Sequence, residues 1–272
     1  MSDHPSQADH DSRPPDHRDD VVLTEVRDEH VLVITLNRPA AKNAVTSAVA
    51  AGVAAALDRL DGDDALRVGV LTGAGGTFCA GMDLKGFLAG DVPFLEGRGF
   101  GGLVEAPPRT PLIAAVEGWA LAGGLEMVLA CDLVVAAETA RFGVPEVRRG
   151  LVAAAGAAML LPQRIPRTLA LEMLLTGEPV EARRAADLGL VNRLTGEGGA
   201  LEGALALAQT VAANGPLAVA VTKQVALAAP DWPAQVAWRR QAELVDPVFG
   251  SADAVEGATA FAEKRPPRWQ GR

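Results

Sequence analysis

The sequence predicts an α/β protein in which strand-to-helix units recur along the first half of the chain and helices dominate the rest. Three observations predict it. Apolar, β-branched runs alternate with Ala-rich helical stretches up to about residue 155, strands mostly stop beyond that point, and a Gly/Pro-rich segment without a clean period interrupts the alternation at 86–111.

Taken in order, "VVLTEVR" from Val21 and "HVLVITLNRP" from His30 read as two strands joined by a short turn and stopped at Asn37-Arg38-Pro39. "TSAVAAGVAAALDRLDGDD" follows as a helix with a Thr/Ser start and a Gly-Asp stop, leading into a buried strand, "LRVGVLTG". The alternation repeats with "PLIAAVEG", a helix from about Gly124, and "CDLVVAAE". Helices are then expected in "AAMLLPQRI", "RTLALEMLLTG", "EARRAADLG", "ALEGALALAQTVAANG" and "PLAVAVTKQVALAAP", with a last one near Ala252 to Glu263. Long segments such as 86–111 inside a compact domain are more often functional loops than accidents, so this one is expected to border a substrate site.

Composition narrows the function. With 272 residues, 49% of them hydrophobic, the chain can bury a large core. A net charge of −9 and the lack of a basic cluster argue against nucleic-acid binding. Apolar stretches are broken before they reach the length of a bilayer, and the N-terminus lacks the apolar core of a signal peptide, so no membrane association is expected. Cys79 and Cys131, the two cysteines, suit small-hydrophobe packing in a reduced, cytoplasmic protein, and nothing supports a disulfide between them. Residues 1–20 are polar and poor in aliphatics, which predicts a disordered tail. Three of the four histidines, His4, His10 and His17, fall in it without metal-ligand spacing.

The same reading removes several chemistries. There is no G-x-S-x-G, and His30 is the only histidine outside the tail, so Ser-His-Asp hydrolysis lacks its parts. In "LTGAGGTF" Phe78 occupies the position of the third glycine of a dinucleotide fingerprint, and no phosphate-binding G-x-x-x-x-G-K-[ST] exists. Two junctions rich in small residues remain, "TFCAGMDLKG" and "ALAGGLEMVLACD". At the second, Gly123 and Gly124 open a helix whose first N–H groups have no intrahelical acceptor, an arrangement suited to a developing oxyanion. Glu126 lies in that helix's first turn, and Glu146, after Pro145, starts another turn. Two carboxylates beside an oxyanion hole suit acid/base chemistry on a carbonyl compound. Pattern alone also suits plainer roles: Glu126 as complement to a helix N-terminus, Glu146 as a surface ion pair with Arg141, Arg148 or Arg149, and Lys85 as a solvated lysine.

At these residues the sequence resembles the crotonase (enoyl-CoA hydratase/isomerase) family. The matching segments run in family order over nearly the whole chain after the tail: "LNRPAAKNAV", "GGTFCAGMDLK", "GWALAGGLEMVLACDLVVAAETARFGVPEVRRGL", "LLTGEPVEARRAADLGLVNRL", "NGPLAVAVTKQ" and "EGATAFAEKRPPRW". The resemblance implies a spiral core of ββα units over 21–200, a C-terminal helical oligomerisation region over 201–272, and trimers or paired trimers. It also implies an acyl-CoA thioester as substrate, so that coenzyme A arrives with the substrate and no separate cofactor or metal is needed. Carried over by position, Met82 and Gly123 supply the oxyanion-hole N–H groups, and Met82, where alanine is frequent, narrows the acyl pocket. Ala80, Met82, Asp83, Leu84 and Lys85 line the CoA path, and Phe261 and Lys264 reach the CoA from the last helix. Glu126 and Glu146 stand at the two variable acid/base positions, a pattern resembling hydratases that add water to a trans-2-enoyl-CoA. Within the family, isomerisation, racemisation and carnitinyl-CoA dehydration compete with that reading; outside it stand a catalytically silent CoA-binding subunit and, more distantly, a nicotinamide dehydrogenase. One departure is plain: where the family often continues "PGxGGxxRL" after Gly150, this chain reads "LVAAAGAAMLLPQRI" beside the acyl pocket.

Overall fold

The computed structural model describes residues 20–271; the expected tail, 1–20, lies outside the described residues apart from Asp20. Strands β1 (Val22–Arg27) and β2 (Val31–Leu36) form an antiparallel hairpin. Helix α1 (Ser47–Gly62) follows, its first turn capped by the Thr46 hydroxyl accepting from the Val49 N–H, and leads to β3 (Val68–Gly73). From β3 onward a three-part unit repeats. After β3 come a single-residue bridge at Cys79 and then α2 (Leu84–Leu88). The short hairpin of β4 (Phe94–Leu95) and β5 (Gly99–Phe100) intervenes before the next unit, β6 (Leu112–Val116), β7 (Trp119–Leu121) and α3 (Gly123–Ala130). The third unit is β8 (Leu133–Ala137), β9 (Arg141–Gly143) and a 3-10 turn, Pro145–Arg149. The remainder comprises α4 (Ala157–Arg164), α5 (Arg167–Thr176), β10 (Val180–Glu181), α6 (Ala182–Asp187), β11 (Arg193–Thr195), α7 (Ala200–Ala212), α8 (Pro216–Ala228), α9 (Ala234–Phe249) and α10 (Ala252–Glu263).

The first strand of each unit joins a six-stranded sheet ordered β1-β2-β3-β6-β8-β11, parallel from β2 onward. Second strands build a smaller sheet: β7 runs parallel to β9, Cys79 bridges Ala120 on the other side, and β10 closes it antiparallel to β9. Each unit therefore advances both sheets by one step, and the chain climbs as a spiral of ββα turns.

The large sheet is buried on both faces, which is why its strands read as continuous apolar runs. Leu32, Ile34, Leu71 and Ala114 share one core with Val53, Leu57 and Leu125 from α1 and α3. Val33, Val70, Ile113 and Val135 lie in a second core with Ala204, Leu205 and Ala208 of α7. By contrast, α8 and α9 bury none of their residues. Helix α9 occupies a stretch to which the sequence assigned no element, because Pro233 before it and Pro247 within it interrupt its amphipathic pattern. Among the described residues no single helix is long and apolar enough to cross a membrane, and no cluster of His, Cys, Asp and Glu could hold a metal ion. Both cysteines are free and buried.

Helix α8 is tied to the core by Lys223, whose Nζ donates to Asp132 Oδ2 at 2.6 Å, Pro108 O at 2.7 Å and Thr110 O at 3.1 Å. Asp132 Oδ2 also accepts from the Leu112 N–H at the start of β6. The two side chains are only 11% and 18% exposed, so removing one strands the other's charge. Replacing Lys223 with Met is expected to lower unfolding stability by about 3 kcal/mol in urea titrations, whereas Arg239→Met in the exposed pair with Glu243 leaves the midpoint unchanged.

Candidate active site

Three successive junctions of the spiral meet at one cavity of about 440 Å3. Ala80, Met82 and Leu84 come from the first junction, Leu121, Ala122, Gly123 and Glu126 from the second, and Pro145, Glu146 and Arg149 from the third. The 86–111 segment supplies an aromatic wall, Phe87, Phe94 and Phe100, and residues 151–155 supply the facing side through Leu151, Val152 and Ala155. Phe94 and Phe100 pack edge to face with centroids 5.4 Å apart.

The backbone donors follow from how the turns pair. Val45 forms a parallel bridge with Met82, in which the Val45 N–H donates to Gly81 O at 2.8 Å and the Asp83 N–H donates to Val45 O at 2.9 Å. Both bonds flank Met82, so its own N–H and C=O lie on the opposite edge of the segment, the one facing the cavity. At the second junction, Ala122 takes φ 52° and ψ −129°, a conformation costly for a residue with a Cβ, and from it α3 starts abruptly. The N–H groups of Met82 and Gly123 have no acceptor among the described residues. The segments touch at Gly81, where a Cβ would lie 2.7 Å from the Ala122 Cβ and 3.3 Å from the Gly123 nitrogen. Gly123 is equally confined, since a Cβ there would meet the Phe100 ring at 2.3 Å.

Glu126 is 3% exposed. Its Oε1 accepts from the Ala155 N–H at 2.8 Å and the Ala157 N–H at 3.1 Å, the two donors flanking Gly156. Gly156, at φ 111°, turns the chain so that both N–H groups aim at one oxygen, a backbone nest that also brings the N-terminus of α4 to the carboxylate. Burial nevertheless prevails: it pushes the Glu126 carboxyl up to about 7, against both donors, and the nearby Glu146 charge adds to the rise. Glu146 is raised as well, by burial first, with its own N–H and the Arg149 charge opposing. Its Oε2 is buried without a hydrogen-bond partner. None of the three nearby arginines forms an ion pair with Glu146: Arg141 pairs with Glu181 at 3.0 Å, Arg148 pairs with Glu178 at 3.1 Å, and Arg149 acts on it through charge alone.

Six of the residues singled out from the sequence therefore border one space: Ala80, Met82, Leu84, Gly123, Glu126 and Glu146. Asp83 does not line it; its Oδ1 caps α2 through the N–H groups of Lys85 and Gly86, and its Oδ2 pairs with Arg38. Lys85 is exposed on α2, and Phe261, 87% exposed, and Lys264 lie at the end of α10, away from the cavity lining. The sequence reading missed the Ala155 and Ala157 donors. A glycine amid alanines, in the segment that departs from the family pattern, was the available signal.

Fold and cavity together define an α/β spiral enzyme with one buried and one half-buried carboxylate and free backbone donors. Residues 26–272 match the enoyl-CoA hydratase/isomerase family. An enoyl-CoA hydratase of Mycobacterium tuberculosis is 42% identical over 251 residues, covering 89% of this chain and 94% of that protein. A carnitinyl-CoA dehydratase of Salmonella typhi is 39% identical over 254 residues, covering 90% and 97%. A solved enoyl-CoA hydratase structure from Mycobacterium tuberculosis H37Rv superposes with a TM-score of 0.91 at 55% identity, covering 93% of this chain and 100% of that one. The chain belongs to the enoyl-CoA hydratase/isomerase, or crotonase, family, whose members act on CoA thioesters.

The raised Glu126 pKa has a stability consequence of definite sign. The folded protein holds that proton more tightly than the unfolded chain, so the stability it contributes is present at low pH and lost as pH rises from 4.5 through about 7. Glu126→Gln cannot ionise, so its stability relative to wild type is expected to improve from pH 5 to pH 8 by about 3 kcal/mol. Urea unfolding at the two pH values measures this, and an unchanged difference would contradict it.

Proposed function

We propose that the protein hydrates trans-2-enoyl-CoA thioesters to 3-hydroxyacyl-CoAs. The observation that carries this reading is the meeting of two pKa-raised glutamates, Glu126 buried and Glu146 half-buried, with two unpartnered backbone N–H groups in one largely apolar cavity. The thioester oxygen accepts from the Met82 and Gly123 N–H groups, which stabilise the enolate charge as it develops. One water lies between the carboxyl groups. Its oxygen bonds to the β-carbon, Glu126 takes a proton from it, and Glu146 delivers a proton to the α-carbon as the double bond opens. The proton then on Glu126 returns to Glu146 through the next water, and the two carboxyls titrate as a coupled pair.

The CoA portion enters as part of the substrate, with no separate cofactor or metal. Ala80, Met82 and Leu84 border its path, Asp83 braces it, Lys85 meets a phosphate, and Phe261 and Lys264 contact CoA across a subunit boundary. Assembly as a trimer or a dimer of trimers is supported by the unburied α8 and α9 and by the exposure of Trp238, Phe249 and Phe261. The free, buried Cys79 and Cys131 support a cytoplasmic setting. The second reading is carnitinyl-CoA dehydration, favoured by the Salmonella relative. Against it, a quaternary ammonium group would share the cavity with the Arg149 guanidinium, whose positive charge borders the same space.

Loss of enoyl-thioester absorbance with a chain-length series of trans-2-enoyl-CoAs tests the proposal. Wild type is expected to turn over, and Glu126→Gln and Glu146→Gln each to lower kcat by about a hundredfold or more. Turnover of carnitinyl-CoA alone would transfer the assignment to the second reading.

A further inference from the structure

The loop "RPAAKNAV" packs behind the Met82 junction, outside the cavity lining. Lys42 and Asn43 both take left-handed φ, 52° and 55°, which costs free energy for residues with a Cβ. That backbone is held from several sides. Asn43 is 1% exposed; its Oδ1 accepts from the Arg38 N–H, and its Nδ2 donates to Ala74 O at 2.8 Å and Thr77 O at 2.7 Å. From this brace the loop grips residues 80–83 through three backbone bonds: Ala80 N–H to Lys42 O, Val45 N–H to Gly81 O, and Asp83 N–H to Val45 O. The Arg38 guanidinium completes the grip by donating through Nη1 to Ala44 O and through Nη2 to Asp83 Oδ2 at 2.9 Å. Its side chain is 24% exposed and that of Asp83 18%, so the pair is shielded from bulk water.

We propose that Arg38 and Asp83 are positioning residues of the oxyanion hole, fixing the direction of the Met82 N–H from behind without touching the substrate. This rests on the thioester reading of the site. The Met82 N–H shares its peptide plane with the Gly81 C=O, which accepts from the Val45 N–H at 2.8 Å, so its direction is only as fixed as the pairing of the bracing loop with residues 81–83. That pairing ends at Asp83, whose side chain is anchored both to α2, through the Lys85 and Gly86 N–H groups, and to the bracing loop, through Arg38. A hole donor acts only when aimed where charge develops, so a small rotation of the 82–83 segment lowers turnover more than binding.

The test uses the full chain with Asp83→Asn, Arg38→Met and the double variant. Asp83→Asn keeps an oxygen for the Lys85 and Gly86 N–H groups while losing the ion pair, and thus separates aiming from capping. Two readouts are taken. Hydration of a trans-2-enoyl-CoA is expected to show kcat lowered about tenfold or more in each variant, KM changed less than threefold, and the double variant no worse than the singles, since the pair acts as one unit. The infrared carbonyl stretch of bound octanoyl-CoA, carbon-13 labelled at the thioester carbonyl and unable to undergo hydration, is expected to shift to low frequency in wild type and to lose much of that shift in the variants. Unchanged kcat and carbonyl shift would overturn the clamp while leaving hydration standing, as would losses that multiply in the double variant or appear in KM alone. A carbonyl shift lost in the variants of a wild type that hydrates nothing would sustain the clamp and remove the hydratase assignment. If the wild type does not shift the carbonyl, both fail.

Discussion

The bond set from the Ala155 and Ala157 N–H groups to Glu126 Oε1 is the interaction on which the rest of the site depends. A carboxylate at 3% exposure is tolerable here only with partners that the backbone itself supplies, because no cation among the described residues pairs with it. The requirement propagates outward. Gly156 must adopt its left-handed turn, α4 must start at Ala157, and α3 must start at Gly123 so that Glu126 falls in its first turn. The start of α3 in turn strains Ala122 and excludes any side chain at Gly123, against which the Phe100 ring packs.

Strain gathers around this cavity. Ala122 on one side, and Lys42 and Asn43 behind the other, are three of the six non-glycine residues with positive φ among the described residues. Each costs on the order of 1–3 kcal/mol and persists only where surrounding bonds over-determine it. The large sheet, buried on both faces by α1, α3 and α7, is the reservoir that offsets those costs. A rigid spiral thus holds the backbone of its turn ends in conformations an isolated loop would not keep.

Much of the fold was legible because periodicity reports burial. Five strands of the large sheet and helix α1 were read from their apolar runs and caps, and the helices from α4 to α8 from their segments, whereas the three-residue β11 was not read as a strand. The small sheet was less visible: β7, β9 and β10 are two or three residues long and hold together only through pairing between distant units. Helix α9 was hidden by its prolines. At the site, Glu126 and the glycines were legible because a carboxylate among apolar residues and a glycine pair at a helix start are locally anomalous, whereas Glu146, set among arginines, read more readily as a surface ion pair. The nest at Gly156 was not, since its role exists only when α4 meets α3, and alanine side chains say nothing about where their N–H groups point. The Arg38–Asp83 pair spans 45 residues and was invisible for the same reason.

These features explain why methionine is tolerated at position 82. The group used there is the peptide N–H, whose aim is set by Val45 on one edge and by Asp83 beyond it, so side-chain identity enters the chemistry only through the space it occupies. An apolar side chain beside the donor also excludes water that would otherwise compete for it, strengthening the field at the oxygen. A cation in place of the backbone donors would bind the ground-state thioester more strongly too, yet only interactions that grow toward the transition state raise the rate. Fixed peptide dipoles in a dry wall, with the ionisable groups confined to the face where protons move, satisfy that condition.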